Sequence, residues 1–269
     1  MADRNVRKDP ADLRPVESIA AEPTAQGRGR LARLFSFFGR LFERRGTFYL
    51  IGFAIAVSAV VAFGWLASEV MEQELRPINE SIMLGIHRHA GPQWDPIARG
   101  VTDLGSVIFV SAVGVVVGGL FIYRRRMLDA ATLAIVLVGG GILSTFLKLI
   151  FQQQRPRLFP SVIPLPPDYS FPSGHSLISF CLYGFIAVWL VSDRPHQLWR
   201  WPVAAVILSV APLVAFSRLY LGVHWPSDVT AGMLVATFWV AFCMTGRSWW
   251  INRARSREIP VVRSQERAF

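Results

Sequence analysis

Cysteine is scarce in this chain of 269 residues, where only Cys181 and Cys243 occur. Two cysteines cannot staple a small secreted domain, and no cysteine or histidine recurs at metal-ligand spacing. Both lie in apolar stretches and read as packing residues. Charge is also sparse, at 17% of residues against 52% hydrophobic, too little for an ordinary soluble domain. Acidic residues are outnumbered, 18 to 28, giving a net charge of +10. A nucleic-acid binder would need a basic stripe with interleaved aromatics. Here the aromatics fall mostly inside apolar runs, so nucleic acid is not an expected partner. A cleavable signal peptide is not expected either: the first apolar run begins near Phe48, behind a long basic leader.

What the chain does have is apolar length. Six stretches, at about 48–68, 104–123, 128–150, 174–192, 201–217 and 226–246, each approach the roughly 20 residues that a helix needs to cross a bilayer. The fifth is the shortest. Gly139, Gly140 and Gly141 would weaken a soluble helix but allow close helix approach in lipid. The expected fold is therefore an all-α, polytopic membrane protein with six transmembrane helices over 48–246.

Two flanking segments complete the organisation. Residues 1–27 lack apolar periodicity and are expected to be a disordered tail. Over 28–46, Leu31, Leu34, Phe35, Phe38, Leu41 and Phe42 recur at helical spacing, with Arg33, Arg40 and Arg44 on the other side. That pattern predicts an amphipathic interfacial helix on the anionic inner leaflet. Residues 247–269 form a basic C-terminal tail. Arginine is concentrated in both tails, at Arg124, Arg125 and Arg126, and at Arg194 and Arg200, all on one side of the six spans. The positive-inside rule makes that side cytoplasmic, with both termini inside. Loops 69–103, 151–173 and 218–225 then face the periplasm or exterior.

Basic and histidine residues on those outer loops cluster at helix ends. Lys148 and Arg155 are seven apart, nearly two turns, so helical spacing puts them on one face of the third span, which Pro156 would end. Pro172, Ser173, Gly174 and His175 open the fourth span. Unpaired N–H groups and the helix dipole favour an anion there. Gly174 would let an oxyanion approach the backbone and Ser173 would add a hydroxyl donor. His224 and Asp228 are four apart, with Pro226 between them as a helix initiator. Asp228 would then hold one imidazole nitrogen protonated and leave the other free to attack phosphorus. Arg218, Arg155 and Lys148 would neutralise the phosphate oxygens, and His175 would protonate the leaving alcohol.

With these residues the chain resembles the type 2 phosphatidic acid phosphatase family, whose motifs read KxxxxxxRP, PSGH and SRxxxxxHxxxD. Every fixed position is present: Lys148, Arg155 and Pro156; Pro172, Ser173, Gly174 and His175; Ser217, Arg218, His224 and Asp228. The resemblance spans roughly 100–246. It implies a six-helix membrane fold, a phosphohistidine on His224, acid catalysis by His175, a lipid phosphate substrate, and neither metal nor cofactor. Vanadium haloperoxidases are similar in these residues but are soluble. A lipid phosphotransferase would use the same site with a different acceptor, and a non-catalytic lipid binder or transporter would not need both histidines with Asp228. The motifs read phosphate and are silent on the lipid, on monophosphate against diphosphate, and on oligomeric state.

Overall fold

The computed structural model describes residues 45–265, with side chains over 49–254. The expected tail 1–27 and nearly all of the interfacial helix 28–46 lie outside the described residues. Eight helices follow in order: α1 (Arg45–Met71), α2 (Arg76–His87), α3 (Asp95–Asp103), α4 (Val107–Tyr123), α5 (Met127–Phe151), α6 (Gly174–Asp193), α7 (Arg200–Tyr220) and α8 (Pro226–Gln265). Among the described residues there is no strand. The protein is all-α.

Five helices, α1, α5, α6, α7 and α8, are long and apolar enough to span a membrane. A sixth span is reached if α3 and α4, bent by 44° at a short break, count as one. The apolar stretches read from sequence correspond to α1 and α4 to α8, with differences at the ends. Helix α7 runs through Ser217 and Arg218 to Tyr220, so the loop expected over 218–225 shrinks to 221–225. Helix α8 continues past 246 to Gln265, through most of the residues read as a tail. The segment read as the loop 69–103 contains α2 and α3, each opened by a proline in its first turn.

Outward-facing residues of the spans are large and apolar, among them Ile108, Val115, Val138, Ile142 and Phe216, as lipid contact requires. The core lies inside the bundle, where Leu177, Leu182 and Phe185 of α6 pack with Leu133 and Val136 of α5, Ala211 of α7 and Ala236 of α8. Helix α6 is the most enclosed of the spans. The absence of a side chain on Gly140 brings α5 against α6: a Cβ there would lie 2.9 Å from the buried Cys181 Sγ. Both cysteines are free and buried, as packing residues.

Each end of the bundle carries its own polar cluster. At one end, Asp129 of α5 lies 2.5 Å from both Arg126 and Arg247, and Arg126 also pairs with Asp193 at the end of α6. This network ties three spanning helices together. At the other end converge the close of α5, the start of α6, the close of α7 and the start of α8, which are the segments bearing the sequence motifs.

Candidate active site

Helix α5 ends at Phe151, where Gln152 turns left-handed at φ 47° and its N–H bonds to Lys148 O. Arg155 therefore lies beyond the helix. The expectation that Lys148 and Arg155 share a helical face is corrected: they converge because the following loop folds back. Asp168 in that loop pairs with Lys148 and, at 2.6 Å, with Arg155 Nη2. Arg155 Nε also donates to Asp168 O at 3.0 Å, and Nη1 to Val223 O at 2.8 Å. Burial alone would raise the Asp168 carboxyl, but hydrogen bonds from Lys148 and Arg155 outweigh it and hold the group below the usual carboxylate range.

His224 is buried in the short turn between α7 and α8, and its two nitrogens face different partners. Nε2 is 3.1 Å from Arg155 Nη1. A guanidinium only donates, so Nε2 must accept and carry the lone pair. Nδ1 then bears the proton and faces Asp228 Oδ2 and Ser170 Oγ, each at 3.3 Å. Burial first, then the positive charges of Arg155, Arg218 and Lys148, hold the imidazole well below its ordinary pKa, so it is neutral at physiological pH.

Asp228 is fully buried at the third position of α8. Its Oδ2 accepts from the Trp225 N–H at 2.8 Å, the backward half of a capping box, and from Ser170 Oγ. The carboxylate is thus fixed by its own helix start before it orients the histidine. Asn79 of α2 braces the same turn, accepting from Ser227 N at 3.1 Å and donating to Ser227 Oγ at 3.0 Å.

Helix α6 begins at Gly174. Ser173 is wholly buried, its N–H given to Asp228 O at 2.9 Å and its hydroxyl accepting from Ser176. It makes no side-chain capping bond, which leaves the first-turn N–H groups of α6 for an anion. Gly174 borders this point, where a Cβ would sit 3.9 Å from Lys148 Nζ. His175 follows within electrostatic range of Arg218, Lys148 and Arg155. Arg218, 2% exposed, donates from Nη1 to Thr102 Oγ1 of α3 at 2.9 Å, while its buried Nε has no partner. An orphaned buried donor beside two further cations is what an anion site requires. A cavity of about 560 Å³ of mixed lining, with Arg76, Gln153, Arg155 and Arg157 beside apolar Val70 and Phe151, opens beside Arg155.

All eight residues singled out from the sequence therefore meet at one end of the bundle. Ser170, Asp168, Asn79 and Thr102 were not foreseen. Only Ser170 carries a local signal, as a polar residue just before the PSGH run. Among the described residues no three His, Cys, Asp or Glu side chains cluster closely enough to share a metal ion.

A profile of the PAP2 superfamily matches residues 129–252. Phosphatidylglycerophosphatase B of Bacillus subtilis (strain 168) is 31% identical over 206 residues, covering 75% of this chain and 98% of that protein. The chain belongs to the PAP2 superfamily. A further relative, the undecaprenyl-diphosphatase of Sulfolobus acidocaldarius, is 36% identical over 148 residues, 51% of this chain and 67% of that one. The crystal structure of the transmembrane PAP2 type phosphatidylglycerolphosphate phosphatase from Bacillus subtilis superposes with a TM-score of 0.62. It shares 31% identity, over 71% of this chain and 94% of that one. The protein is accordingly a multi-pass membrane hydrolase, a phosphatase of the PAP2 type.

Proposed function

We propose that this PAP2 protein hydrolyses a lipid phosphate monoester through a phosphohistidine on His224, on the non-cytoplasmic face of the membrane. The observation that carries the reading is the setting of the His224 ring, with Nδ1 toward Asp228 and Nε2 toward the guanidinium of Arg155, from which it follows that Nδ1 bears the proton and Nε2 the lone pair. A phosphate held by Lys148, Arg155, Arg218 and the α6 N-terminus would bring its phosphorus to that lone pair. Nε2 then forms the N–P bond as the P–O bond to the lipid breaks, and His175 supplies the proton that the departing alkoxide needs. Water attacks the phosphohistidine in the second step, releasing inorganic phosphate and restoring the imidazole. The three cations offset the charge on the equatorial oxygens, the role a divalent ion plays elsewhere.

Phosphatidylglycerol phosphate leads the candidate substrates, because the relative covered almost end to end is a phosphatidylglycerophosphatase. An isoprenyl diphosphate is the second reading, favoured by the undecaprenyl-diphosphatase likeness. Phosphatidic acid and a phosphorylated lipid A complete the panel. The test has two arms: side-by-side turnover of these lipids by purified protein, and rapid-quench trapping of phosphoenzyme. His224→Ala is expected to form none from any substrate. His175→Ala should lose about 10²–10⁴ in rate with a lipid phosphate, yet recover much of it with p-nitrophenyl phosphate, whose leaving group hardly needs a proton. Equal loss on both substrates would remove His175 from the acid role.

A further inference from the structure

Asp168 sits on the two cations that the first motif supplies. It belongs to the loop between α5 and α6, and its side chain is 50% exposed. One carboxylate bridges the Lys148 ammonium and the Arg155 guanidinium, as two oxygens of a phosphate would. Arg155 does not depend on that carboxylate for its position. It is also held by Val223 O, by the backbone carbonyl of Asp168 and by its contact with His224. Nη1 of the same guanidinium faces the nucleophilic Nε2 and donates to Val223 O, so a phosphate at Nε2 would take its bond from the neighbouring Nη2, where Asp168 now sits.

Charge balance points the same way. Lys148, Arg155 and Arg218 face the buried Asp228 and the half-open Asp168. A dianionic phosphate in place of Asp168 would be matched by the three cations. With Asp168 still between them, the site would hold surplus negative charge. Asp228 cannot leave, being buried and capped at the start of α8, whereas Asp168 has solvent beside it and no regular structure around it.

We propose that Asp168 is a resident anion that occupies the phosphate-binding cations in the free enzyme, swings out when substrate phosphate binds, and returns to displace product phosphate. It is thereby a specificity-determining residue: it disfavours any anion that brings no further binding energy than its charge. A lipid phosphate adds the partition of its tail, and inorganic phosphate adds nothing. The proposal rests on the reading of Lys148 and Arg155 as phosphate ligands.

The experiment measures inhibition of p-nitrophenyl phosphate hydrolysis by inorganic phosphate, using the full chain in detergent. Asp168→Asn keeps the side chain's shape and removes its charge. Its inhibition constant should fall about tenfold, as expected when a charge-assisted competitor is lost. If Asp168 merely positioned Lys148 and Arg155, the constant would rise; a rise or no change overturns the proposal. Lys148→Ala and Arg155→Ala should each weaken phosphate inhibition. If both retain it, the phosphate-ligand reading has failed rather than the role of Asp168. A second measurement needs no variant: amide exchange across 163–170 of the parent enzyme should quicken when vanadate is added. Slowed or unaltered exchange there also overturns the proposal.

Discussion

Ser170 stands between His224 and Asp228, donating to Asp228 Oδ2 and lying 3.3 Å from His224 Nδ1. It does not reach the reacting atoms, so its effect runs through the orientation of the imidazole. Ser170→Ala is expected to lower kcat by about ten- to a hundredfold with little change in KM, since it loosens geometry without deleting the nucleophile. Asp228→Asn should cost more, because an amide can present its N–H to Nδ1 and invert the tautomer. Steady-state kinetics on the two variants checks the order. Burial of a neutral His224 also makes a stability statement. Its folded pKa lies well below the ordinary value near 6.5, so below pH 6.5 the unfolded chain binds a proton that the folded chain refuses. Stability is therefore lost as pH falls through 6.5, by up to about 1.4 kcal/mol per pH unit from this group. The melting temperature in detergent should drop more between pH 7 and pH 5 for the parent than for His224→Asn. Parallel curves would mean that the imidazole accepts its proton in place.

Helices α6 and α8 meet at the site with very little clearance. A Cβ built on Gly232 of α8 would lie 2.7 Å from the backbone carbonyl of Ser173, which has no flexible end to yield. Gly232→Ala should push the start of α6 away from Asp228, strain the Ser173 N–H to Asp228 O bond, and cost about 1–3 kcal/mol of stability. Activity is expected to fall further than the melting temperature suggests, which paired assays of hydrolysis and thermal unfolding would reveal. The elements themselves were legible because hydrophobic length is a local property: α1 and α4 to α8 each announce themselves as apolar runs. Loop geometry is not local. The seven-residue spacing of Lys148 and Arg155 suggested a shared helix face, yet Gln152 turns the chain out of the helix first. The braces Asn79 to Ser227 and Thr102 to Arg218 join residues more than a hundred positions apart, and nothing in either segment marks its partner. His224 and Asp228 were legible together because four residues at a helix start bring two side chains into contact.

At the scale of the molecule, the motif residues gather at one end of the bundle and the Arg126, Asp129, Asp193 and Arg247 network at the other. By the positive-inside rule, the arginine asymmetry in the loops would place the first end at the periplasm or exterior, the orientation proposed above. Single cysteines at Ser161 and at Arg125, in a background without Cys181 and Cys243, test the assignment with an impermeant thiol reagent. Only the Ser161 position should react in intact cells. Reaction at Arg125 alone would turn the protein over and place its chemistry in the cytoplasm. Helix α4 adds a property of the surroundings rather than of the chain. Its 17 residues, at about 1.5 Å each, reach about 26 Å, short of the roughly 30 Å of a typical hydrocarbon core. Helix α3 continues it only after the 44° bend and is tied by Thr102 to Arg218. Where α4 alone meets lipid, the bilayer beside it would thin to match, drawing headgroups toward the α4 start, where Gly105 lies against the backbone of His175. Thin bilayers of short-chain lipid would meet that height without deformation. Turnover in them should therefore exceed turnover in thick ones, where every substrate has first to be drawn down.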